Sequence, residues 1–335
     1  MKLPEPINTI PHLIDQYHKS QSEKPRPHLG CSLLGHPCDR WLWLSFRWAV
    51  VEAFEGRILR LFRRGQNEEA VIIRDLRNVG IDVRSSQQRV NFGSHVSGSL
   101  DGVIESGVPE APTKRHVAEF KTHSKKSFDD MAAKGVEKSK PMHFVQMQVY
   151  MHGTNIDRAL YVAVCKDDDR LHIERIKYDR DVATRAVERG RRIALADRMP
   201  PPISTDPSWY QCRFCPAHSF CHKAEPTKHA NCRTCAHATA KSDSTWRCER
   251  HEADNIPVDF QHTGCDDHII HPDLVPWPMI PSEDGHSVMW RIGDRVIENS
   301  ATAYKSREIL ANPAVCGTDA VENVKRVFPE AEVVK

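Results

Sequence analysis

Three charged side chains have the types and spacing of a divalent-metal site. Asp101 interrupts the apolar segment 100–104, while Glu119 and Lys121 lie two residues apart in a second strand-like segment, 117–121. Residues two apart on a β-strand project to the same face, and pairing of the two segments would bring Asp101 beside Glu119. Converging carboxylates suit a hard ion such as Mg²⁺ or Mn²⁺, and an adjacent lysine can orient a water molecule. The spacing therefore predicts a site for a divalent ion and a water molecule.

The 11 cysteines are the second chemical feature, because seven of them lie between residues 212 and 265. In a reducing compartment such clustering favours metal ligation over disulfides. One set has the pattern Cys212-x2-Cys215-x5-Cys221, and a second has the pattern Cys232-x2-Cys235-x12-Cys248-x16-Cys265. The second set is compatible with a structural Zn²⁺, although His251 or His268 can replace Cys248 or Cys265 as a ligand. Three further cysteines are expected to be packed or free thiols: Cys31, Cys165 and Cys316.

Hydrophobic periodicity and turn residues predict the elements that position these side chains. The apolar stripe of a helical segment, 41–79, includes Glu69 rather than Glu68. Glycines divide 81–121 into short strands, and Pro141 opens a helix. The later elements are strands over 158–165 and 171–178, a helix over 182–199 capped by Asp181, and a hairpin turning at Gly293-Asp294. This order indicates an α/β core with mixed strand directions.

Composition limits the class of protein. Among 335 residues, 39% are hydrophobic and 27% are charged, which indicates a globular chain. The longest apolar run, 159–165, is too short to cross a bilayer, and the first residues lack the apolar region of a secretory signal. We therefore expect a cytoplasmic protein that does not bind membranes.

Net charge is only +2, so any nucleic-acid surface has to be a local patch. Two basic groups flank the acidic residues: Arg57, Arg60, Arg63 and Arg64 before them, and Lys125, Lys126, Lys134, Lys138 and Lys140 after them. They either neutralise phosphates or form solvated helix faces. Trp41, Trp43 and Trp48 either stack bases or pack the first helix, and their alternation with leucine and phenylalanine favours packing.

Four motifs in this order resemble the PD-(D/E)XK nuclease superfamily. They are Gly65-x3-Glu69, Gly98-x2-Asp101, Glu119-x-Lys121 and Gln146-x3-Tyr150. Each alone also occurs in ordinary ion pairs and packed helices, but all four together are more specific. The likeness is to RecB-like and CRISPR-associated exonucleases, and to phage recombination exonucleases of the lambda type. It implies a restriction-endonuclease-like α/β fold, in which a mixed central sheet is flanked by helices, plus a small Cys-rich metal-binding module.

The resemblance also implies roles for these residues. Asp101, Glu119 and the Phe120 carbonyl would hold Mg²⁺ or Mn²⁺, and Glu69 would complete this site or hold a second ion. Lys121 would position the attacking water. Gln146 and Tyr150 would reach the phosphate or the surroundings of Lys121. The similar exonucleases place three cysteines after their core and a fourth far upstream. Cys38, followed by Asp39 and Arg40, resembles that fourth position, so the implied [4Fe–4S] ligands are Cys38, Cys212, Cys215 and Cys221, with Zn²⁺ as the alternative.

These inferences divide the chain into an extended lead-in over 1–30, a nuclease core over 31–225 closed by the Fe–S cluster, a zinc-binding module over 226–272, and a tail over 273–335 that contains the hairpin. We expect a DNA exonuclease of recombination or repair, with a recombination protein as a further partner, in the host cytoplasm if a phage encodes it. The alternative is a non-catalytic nucleic-acid-binding metalloprotein that uses the Cys-rich module. An Fe–S redox protein is disfavoured because no Gly-x-Gly-x-x-Gly fingerprint accompanies the cysteines.

Overall fold

The computed structural model describes residues 9–84, 87–282 and 285–334, so the first eight residues of the predicted lead-in lie outside the described residues. The helices are α1 Thr9–Ser20, α2 Asp39–Phe46, α3 Gly56–Asn78, α4 Lys125–Lys134, α5 Val136–Ser139, α6 Pro141–Thr154, α7 Arg180–Ala194, α8 Tyr210–Arg213, α9 His218–His222, α10 Val258–Thr263, α11 Ser306–Ala311 and α12 Asp319–Val327. The strands are β1 Leu29–Gly30, β2 Val83–Arg84, β3 Arg89–Asn91, β4 Val96–Ser99, β5 Gly102–Ile104, β6 His116–His123, β7 Arg158–Cys165, β8 Leu171–Lys177, β9 Ala238–Ala240, β10 Trp246–Cys248, β11 Met279–Pro281, β12 Val288–Ile292 and β13 Arg295–Asn299. Within the described ranges, no helix has the length and apolar character that a membrane span requires.

The central sheet has five strands in the order β2-β5-β6-β7-β8. β6 and β7 run parallel, and the other neighbouring pairs are antiparallel. A parallel pair needs a crossover connection, which the chain makes through α4, α5 and α6. The predicted α/β class, with a mixed central sheet flanked by helices, is confirmed.

Alternate residues of β6 pack into two separate apolar layers. On one face, Phe120 belongs to the same buried cluster as Ile72 and Leu76 of α3. On the opposite face, Val117 belongs to the larger cluster that contains Met147 of α6. Full burial of such side chains stabilises the fold by about 1.5–3 kcal/mol each. The two helices therefore hold β6 from both sides, and the residues of β6 between these layers are fixed in position.

A second sheet, in the order β1-β4-β3, begins where the central sheet ends. The chain leaves β4 at Ser99 and enters β5 at Gly102, so Asp101 lies where the two sheets separate. Gly98 of β4 approaches α6 so closely that an added Cβ would lie 2.9 Å from Tyr150 Oη. A glycine is needed here because no larger residue leaves room for the tyrosine.

Several predicted elements agree with the structure. The strands predicted over 158–165 and 171–178 are β7 and β8, and the predicted tail hairpin is formed by β12 and β13. The single helical stretch predicted over 41–79 is instead two helices, α2 and α3. The last core helix begins earlier than predicted, because Asp179 rather than Asp181 is its N-cap and accepts the N–H of Asp181 at 2.9 Å.

The prolines of residues 1–30 predict an extended lead-in, and this is wrong for Thr9–Ser20, which forms α1. Pro11 lies in the first turn of that helix, where a missing N–H removes no helical hydrogen bond. Asp15 forms an ion pair with Arg60 of α3, so the polar side of α1 rests on α3.

A buried arginine joins the cysteine-rich region to the rest of the chain. Arg233 is 1% exposed, and its guanidinium donates to the carbonyls of Phe46 and Pro27 and to Gln261 Oε1, each at 2.9 Å. The guanidinium carbon lies 3.7 Å from the ring centre of Trp48, within the range of a cation–π contact. Segments 27–48 and 226–272 therefore pack together in one buried core.

A second arginine continues this cluster. Arg47 is also 1% exposed and donates to the carbonyls of Ala196 at 3.2 Å and Arg233 at 3.3 Å. Its guanidinium carbon lies 4.7 Å from the ring centre of Trp43 and 5.3 Å from that of Trp246. Burial lowers the pKa of Arg47 to about 10 and that of Arg233 to about 9, so both stay charged at neutral pH. Packing, the role that the sequence favours for the tryptophans, is confirmed for Trp43.

Candidate active site

Glu119 and Lys121 occupy one face of β6, as predicted from their spacing. The Glu119 side chain is 0% exposed, and its Oε1 forms an ion pair with Lys121 Nζ. Lys121 Nζ also lies 3.8 Å from Asp101 Oδ2. The structure therefore brings together the three residues that the sequence places on two separate segments.

Asp101 is positioned by the separation of the two sheets. β5 pairs with β6 only as far as Ala118. Beyond that point Asp101 Oδ2 accepts the backbone N–H of Phe120 at 2.9 Å. This hydrogen bond fixes the carboxylate against β6 and directs it towards Lys121. The Phe120 carbonyl, which the resemblance makes a metal ligand, remains a prediction.

Glu69 reaches the same place from α3. Burial, followed by the charge of Asp101, raises the pKa of Glu69, while the charge of Lys121 lowers it. Gln87 Nε2 donates to Glu69 Oε1 at 3.5 Å, which is a long hydrogen bond. An added Cβ on Gly65 would lie 3.8 Å from Thr122 Oγ1, so this turn of α3 passes close to β6.

The four groups carry an uncompensated negative charge. Three carboxylates and one lysine sum to −2 when all are ionised. Burial raises the pKa of Glu119 to about 7, with Lys121 opposing this shift and Asp101 adding to it. Glu119 Oε2 is buried and, within the described ranges, has no hydrogen-bond partner. An ion of charge +2 would balance the site and give this oxygen a partner, so the donor set fits Mg²⁺ or Mn²⁺.

Lys121 remains a cation in this environment. Burial alone would lower the pKa of Lys121, but the charges of Glu119, Asp101 and Glu69 raise it above its ordinary value. A permanently protonated lysine beside two carboxylates can hold a water molecule or a phosphate oxygen, but it cannot act as a general base at neutral pH.

Gln146 and Tyr150 lie on α6, which packs near the acidic residues. Both are buried, and a hydrogen bond from Gln146 partly offsets the upward shift that burial causes in the pKa of Tyr150. The charge of Glu119 also raises that pKa, so the phenol stays neutral near the carboxylate. Tyr150 Oη lies against Gly98, which places α6 close to β4. Contact of these two side chains with a phosphate remains a prediction.

A chain of hydrogen-bonding residues next to Lys121 was not identified from the sequence. His123 Nε2 lies 2.9 Å from Tyr161 Oη, and its Nδ1 lies 3.1 Å from Ser127 Oγ. His143 Nδ1 of α6 also lies 2.9 Å from Tyr161 Oη. Burial lowers the pKa of His123 to about 4 and that of His143 to about 3, so both rings are neutral. A histidine two residues after Lys121 on the same strand face was the available signal.

The first set of cysteines meets at one surface pocket, which is lined by Cys38, Cys212, Cys215 and Cys221. Cys38 is the N-cap of α2, and its Sγ accepts the N–H of Trp41 at 3.5 Å. Burial raises the pKa of Cys221, and the charge of Arg40, in the same turn as Cys38, opposes that rise. The upstream cysteine and the three downstream ones therefore converge, and a set of four thiols fits either [4Fe–4S] or Zn²⁺.

The second set surrounds the β9–β10 hairpin. Cys232 begins the 3₁₀ turn Cys232–Thr234, which precedes the hairpin, and Cys248 is the last residue of β10. Among the described residues, the ligand atoms found within 4.8 Å of one another are those of His251, Cys265 and Asp267. The three cysteines outside both sets are buried: Cys31, Cys165 and Cys316.

The predicted basic residues of α3 line an open groove, which is formed by Arg57, Arg60, Leu61, Arg63, Arg64 and Asn67. Arg64 donates to the carbonyl of Lys166 at 3.0 Å, and the N–H of Lys166 donates to the carbonyl of His123. The groove therefore leads to the ends of β6 and β7. On α4, Lys125 and Lys134 form ion pairs with neighbouring aspartates.

Comparison with known proteins gives similarities of low identity. No protein-family model matches the sequence, and no curated protein matches it. Among solved structures, a protein titled SSO0001 is 16% identical with a TM-score of 0.40, over 63% of this chain and 96% of that chain. An alkaline exonuclease from Laribacter hongkongensis is 17% identical with a TM-score of 0.38, over 54% of this chain and 91% of that chain. A phage-related exonuclease from Haemophilus somnus is 16% identical with a TM-score of 0.36, over 52% of this chain and 94% of that chain.

Proposed function

We propose that the protein is a divalent-metal-dependent DNA exonuclease of the PD-(D/E)XK kind. The observation that carries this proposal is the buried Glu119 carboxylate, which has one oxygen on Lys121 and one without a partner among the described residues. Asp101 and Glu69 place two further carboxylates near it, and the charge of each adds to the rise that burial causes in the pKa of Glu119. A purely structural ion pair would not need two extra carboxylates against one lysine.

Each residue of the site has a distinct role in hydrolysis of a phosphodiester. Glu69, Asp101 and Glu119, with the Phe120 carbonyl, would hold Mg²⁺ or Mn²⁺. When bound, the ion polarises a phosphoryl oxygen and lowers the pKa of a bound water. Lys121 orients the attacking water and offsets the negative charge that develops on the phosphate.

Gln146 and Tyr150 support this arrangement from α6, where Tyr150 holds β4 at a fixed distance through Gly98. The hydrogen-bonded side chains of His123, Tyr161 and His143 make the surroundings of Lys121 polar without adding charge.

DNA would approach along the arginine groove of α3. Four arginines line that groove within one 23-residue helix, and it opens towards the ends of β6 and β7. Contacts of this kind neutralise phosphates without reading bases, so binding should weaken steeply with salt. A role in recombination or repair, a recombination protein as partner, and the host cytoplasm of a phage-encoded enzyme follow from the resemblance of the four motifs.

The first cysteine set would hold a [4Fe–4S] cluster that closes the nuclease core over residues 31–225. Support comes from the convergence of the four cysteines on one pocket and from the positive charge of Arg40, which opposes the rise that burial causes in the pKa of Cys221. The chain between Cys38 and Cys212 contains the whole acidic site, so the group would join the two ends of the core. A brown preparation that absorbs near ~400 nm supports the cluster, and a colourless anaerobic preparation with zinc in this pocket overturns it.

The test of the nuclease proposal compares three variants on end-labelled linear DNA and on closed circular DNA. Asp101→Asn keeps an acceptor for the Phe120 N–H but removes one charge, and Lys121→Ala removes the cation. We expect each to lower Mg²⁺-dependent degradation of linear DNA by about 100-fold or more. Lys125→Ala, whose ion pair with Asp129 is exposed, should match the wild type.

Thermal melts of the same variants verify that they fold. Undiminished cleavage by both site variants would contradict the proposal. Cleavage of closed circles would replace the exonuclease with an endonuclease. Retention of DNA without cleavage under Mg²⁺, Mn²⁺ or Ca²⁺ would favour the non-catalytic nucleic-acid-binding metalloprotein.

A further inference from the structure

We propose that Cys232, Cys235, Cys248 and Cys265 bind one structural Zn²⁺ ion, and that this ion holds Arg233 in its buried position. The inference does not depend on the nuclease proposal, because it concerns a different part of the chain and a different ion. Nothing about the acidic site changes if the zinc site is absent.

A backbone N–H group points at one sulfur atom of this set. The N–H of His237 donates to Cys235 Sγ at 3.4 Å. Such a donor stabilises a thiolate, which is the form that binds zinc, and it orients the sulfur atom.

The backbone brings the four cysteines into one region. Gly264, which precedes Cys265, packs against Asn231, which precedes Cys232, since an added Cβ on Gly264 would lie 3.4 Å from Asn231 Cα. The N–H of Cys235 donates to the carbonyl of Cys232 at 3.2 Å, and the N–H of Ala238 donates to the carbonyl of Cys235 at 3.3 Å. Cys248 pairs with Ala238 across the hairpin, so all four thiols belong to the same small part of the fold, and four thiols are the donor set of a structural zinc site.

His268, one of the two histidines that the sequence leaves as alternative ligands, uses its Nε2 elsewhere. His268 Nε2 lies 3.1 Å from Thr234 Oγ1 and 3.0 Å from the carbonyl of Asn231, inside the fold. His271 is similarly engaged, with Nε2 2.9 Å from the carbonyl of Asp197.

His251 is a rival ligand that lies near Cys265 and Asp267 on the surface. His251 Nε2 is 3.3 Å from Asp267 Oδ2, and Arg250 lies 3.5 Å from the other oxygen of that carboxylate. Cys265 Sγ is 3.8 Å from His251 Nε2, a long contact that leaves the thiol available to an ion. His251 and Asp267 therefore have other polar partners, whereas the contact of Cys232 Sγ with the Phe260 carbonyl is a weak one, at 3.5 Å.

The hairpin has little structure of its own and depends on contacts with the rest of the chain. The hairpin has two strands of three residues each. Its apolar anchor is Trp246, which is 1% exposed and packs against Phe46 with ring centres 5.5 Å apart. An isolated two-stranded hairpin is marginal in water, and small units of this size are commonly stabilised by a metal.

The position of Arg233 gives the ion a specific effect. This arginine lies between Cys232 and Cys235, so the metal would fix the backbone from which its side chain extends. The guanidinium contacts the Trp48 ring and the carbonyls of Phe46 and Pro27. Removal of zinc should therefore loosen the turn, release the arginine and admit water to the tryptophans.

The first experiment measures zinc per chain in purified protein by elemental analysis. Cys248→Ser and Cys265→Ser should each contain one zinc ion fewer than the wild type. His251→Ala should keep the wild-type content. Cys316→Ser is the matched control, because this buried thiol belongs to neither set and donates to backbone carbonyls, as a serine hydroxyl can.

The second experiment uses the wild-type chain, so it does not depend on whether a cysteine variant folds. Thiols are titrated with a mercurial reagent while a metallochromic indicator follows zinc release and tryptophan emission is recorded. We expect zinc release together with a red shift of the emission. Replacement of zinc by Co²⁺ should give the intense sulfur-to-metal charge-transfer absorption of a four-thiolate site.

Three results would overturn the inference. The first is a wild-type zinc content in Cys248→Ser and Cys265→Ser. The second is loss of zinc in His251→Ala, which would move the site to the surface trio. The third is zinc release without any change in tryptophan emission, which would refute the link to Arg233. None of these measurements involves DNA or Mg²⁺, so failure here is distinguishable from failure of the nuclease proposal.

Discussion

Glu119→Gln should make the metal-free protein more stable at pH 8, and by a much smaller amount at pH 5. The folded protein binds the proton of Glu119 more tightly than the unfolded chain does, because burial raises the pKa from 4.5 to about 7. That value already includes the attraction of Lys121. The stability linked to this proton is fully present below pH 4.5 and is lost as the pH rises through 7. Glutamine has the same shape and stays neutral, so it avoids the loss.

The size of the effect follows from the two pKa values. Their difference, 7 − 4.5, corresponds to about 3 kcal/mol when both states are ionised at pH 8. At pH 5 the folded carboxyl is protonated and the unfolded one is mostly ionised, which leaves a penalty of about 1 kcal/mol. The variant should therefore gain about 2–3 kcal/mol over the wild type between the two pH values. For a chain of this length that is a shift in melting temperature of about 3–4 °C.

The assay is a thermal melt in EDTA at pH 5 and pH 8, with and without added Mg²⁺ afterwards. Glu137→Gln is the matched control, because this glutamate is exposed on α5 and its replacement should not change stability with pH. Mg²⁺ should raise the melting temperature of the wild type at pH 8, but not that of Glu119→Gln. An equal difference between variant and wild type at both pH values, or a variant less stable at pH 8, would refute the reasoning.

Two further predictions concern packing and DNA binding. Gly98→Ala should destabilise the protein by about 1–3 kcal/mol in urea unfolding, because the added Cβ would lie 2.9 Å from Tyr150 Oη. Gly65→Ala should be neutral or slightly stabilising in the same assay, since its nearest contact would be 3.8 Å away and alanine favours helices. Arg57→Gln in the groove should reduce the slope of log affinity against log salt by about 0.9. An unchanged slope would place the DNA elsewhere.

The acidic site was predictable because strand alternation is a local property. Glu119 and Lys121 share a face of β6 whatever the rest of the chain does. Strand alternation alone does not predict the position of Asp101. That position also depends on the end of β5–β6 pairing at Ala118, which leaves the Phe120 N–H to donate to the carboxylate. That separation of two sheets depends on contacts made far away in the sequence.

Other features were missed because their signals are weak or long-range. Helix α4 lies in a lysine-rich stretch that resembles a solvated face, although its buried Phe128 and Met131 lie one turn apart. The arginine cluster was invisible, since Arg47 and Arg233 look like ordinary surface residues in the sequence. Their burial depends on carbonyl groups that only the folded chain brings together.

The two buried arginines also affect which residues can vary. Arg233 and Arg47 hydrogen-bond mainly to backbone carbonyls, including those of Pro27, Phe46 and Ala196. A carbonyl is present whatever the side chain, so these acceptor positions can change identity without loss of the hydrogen bond. Lysine, by contrast, cannot reproduce the planar fork or stack on a tryptophan. These hydrogen bonds therefore constrain the identity of the two arginines but not that of the residues that supply the carbonyls.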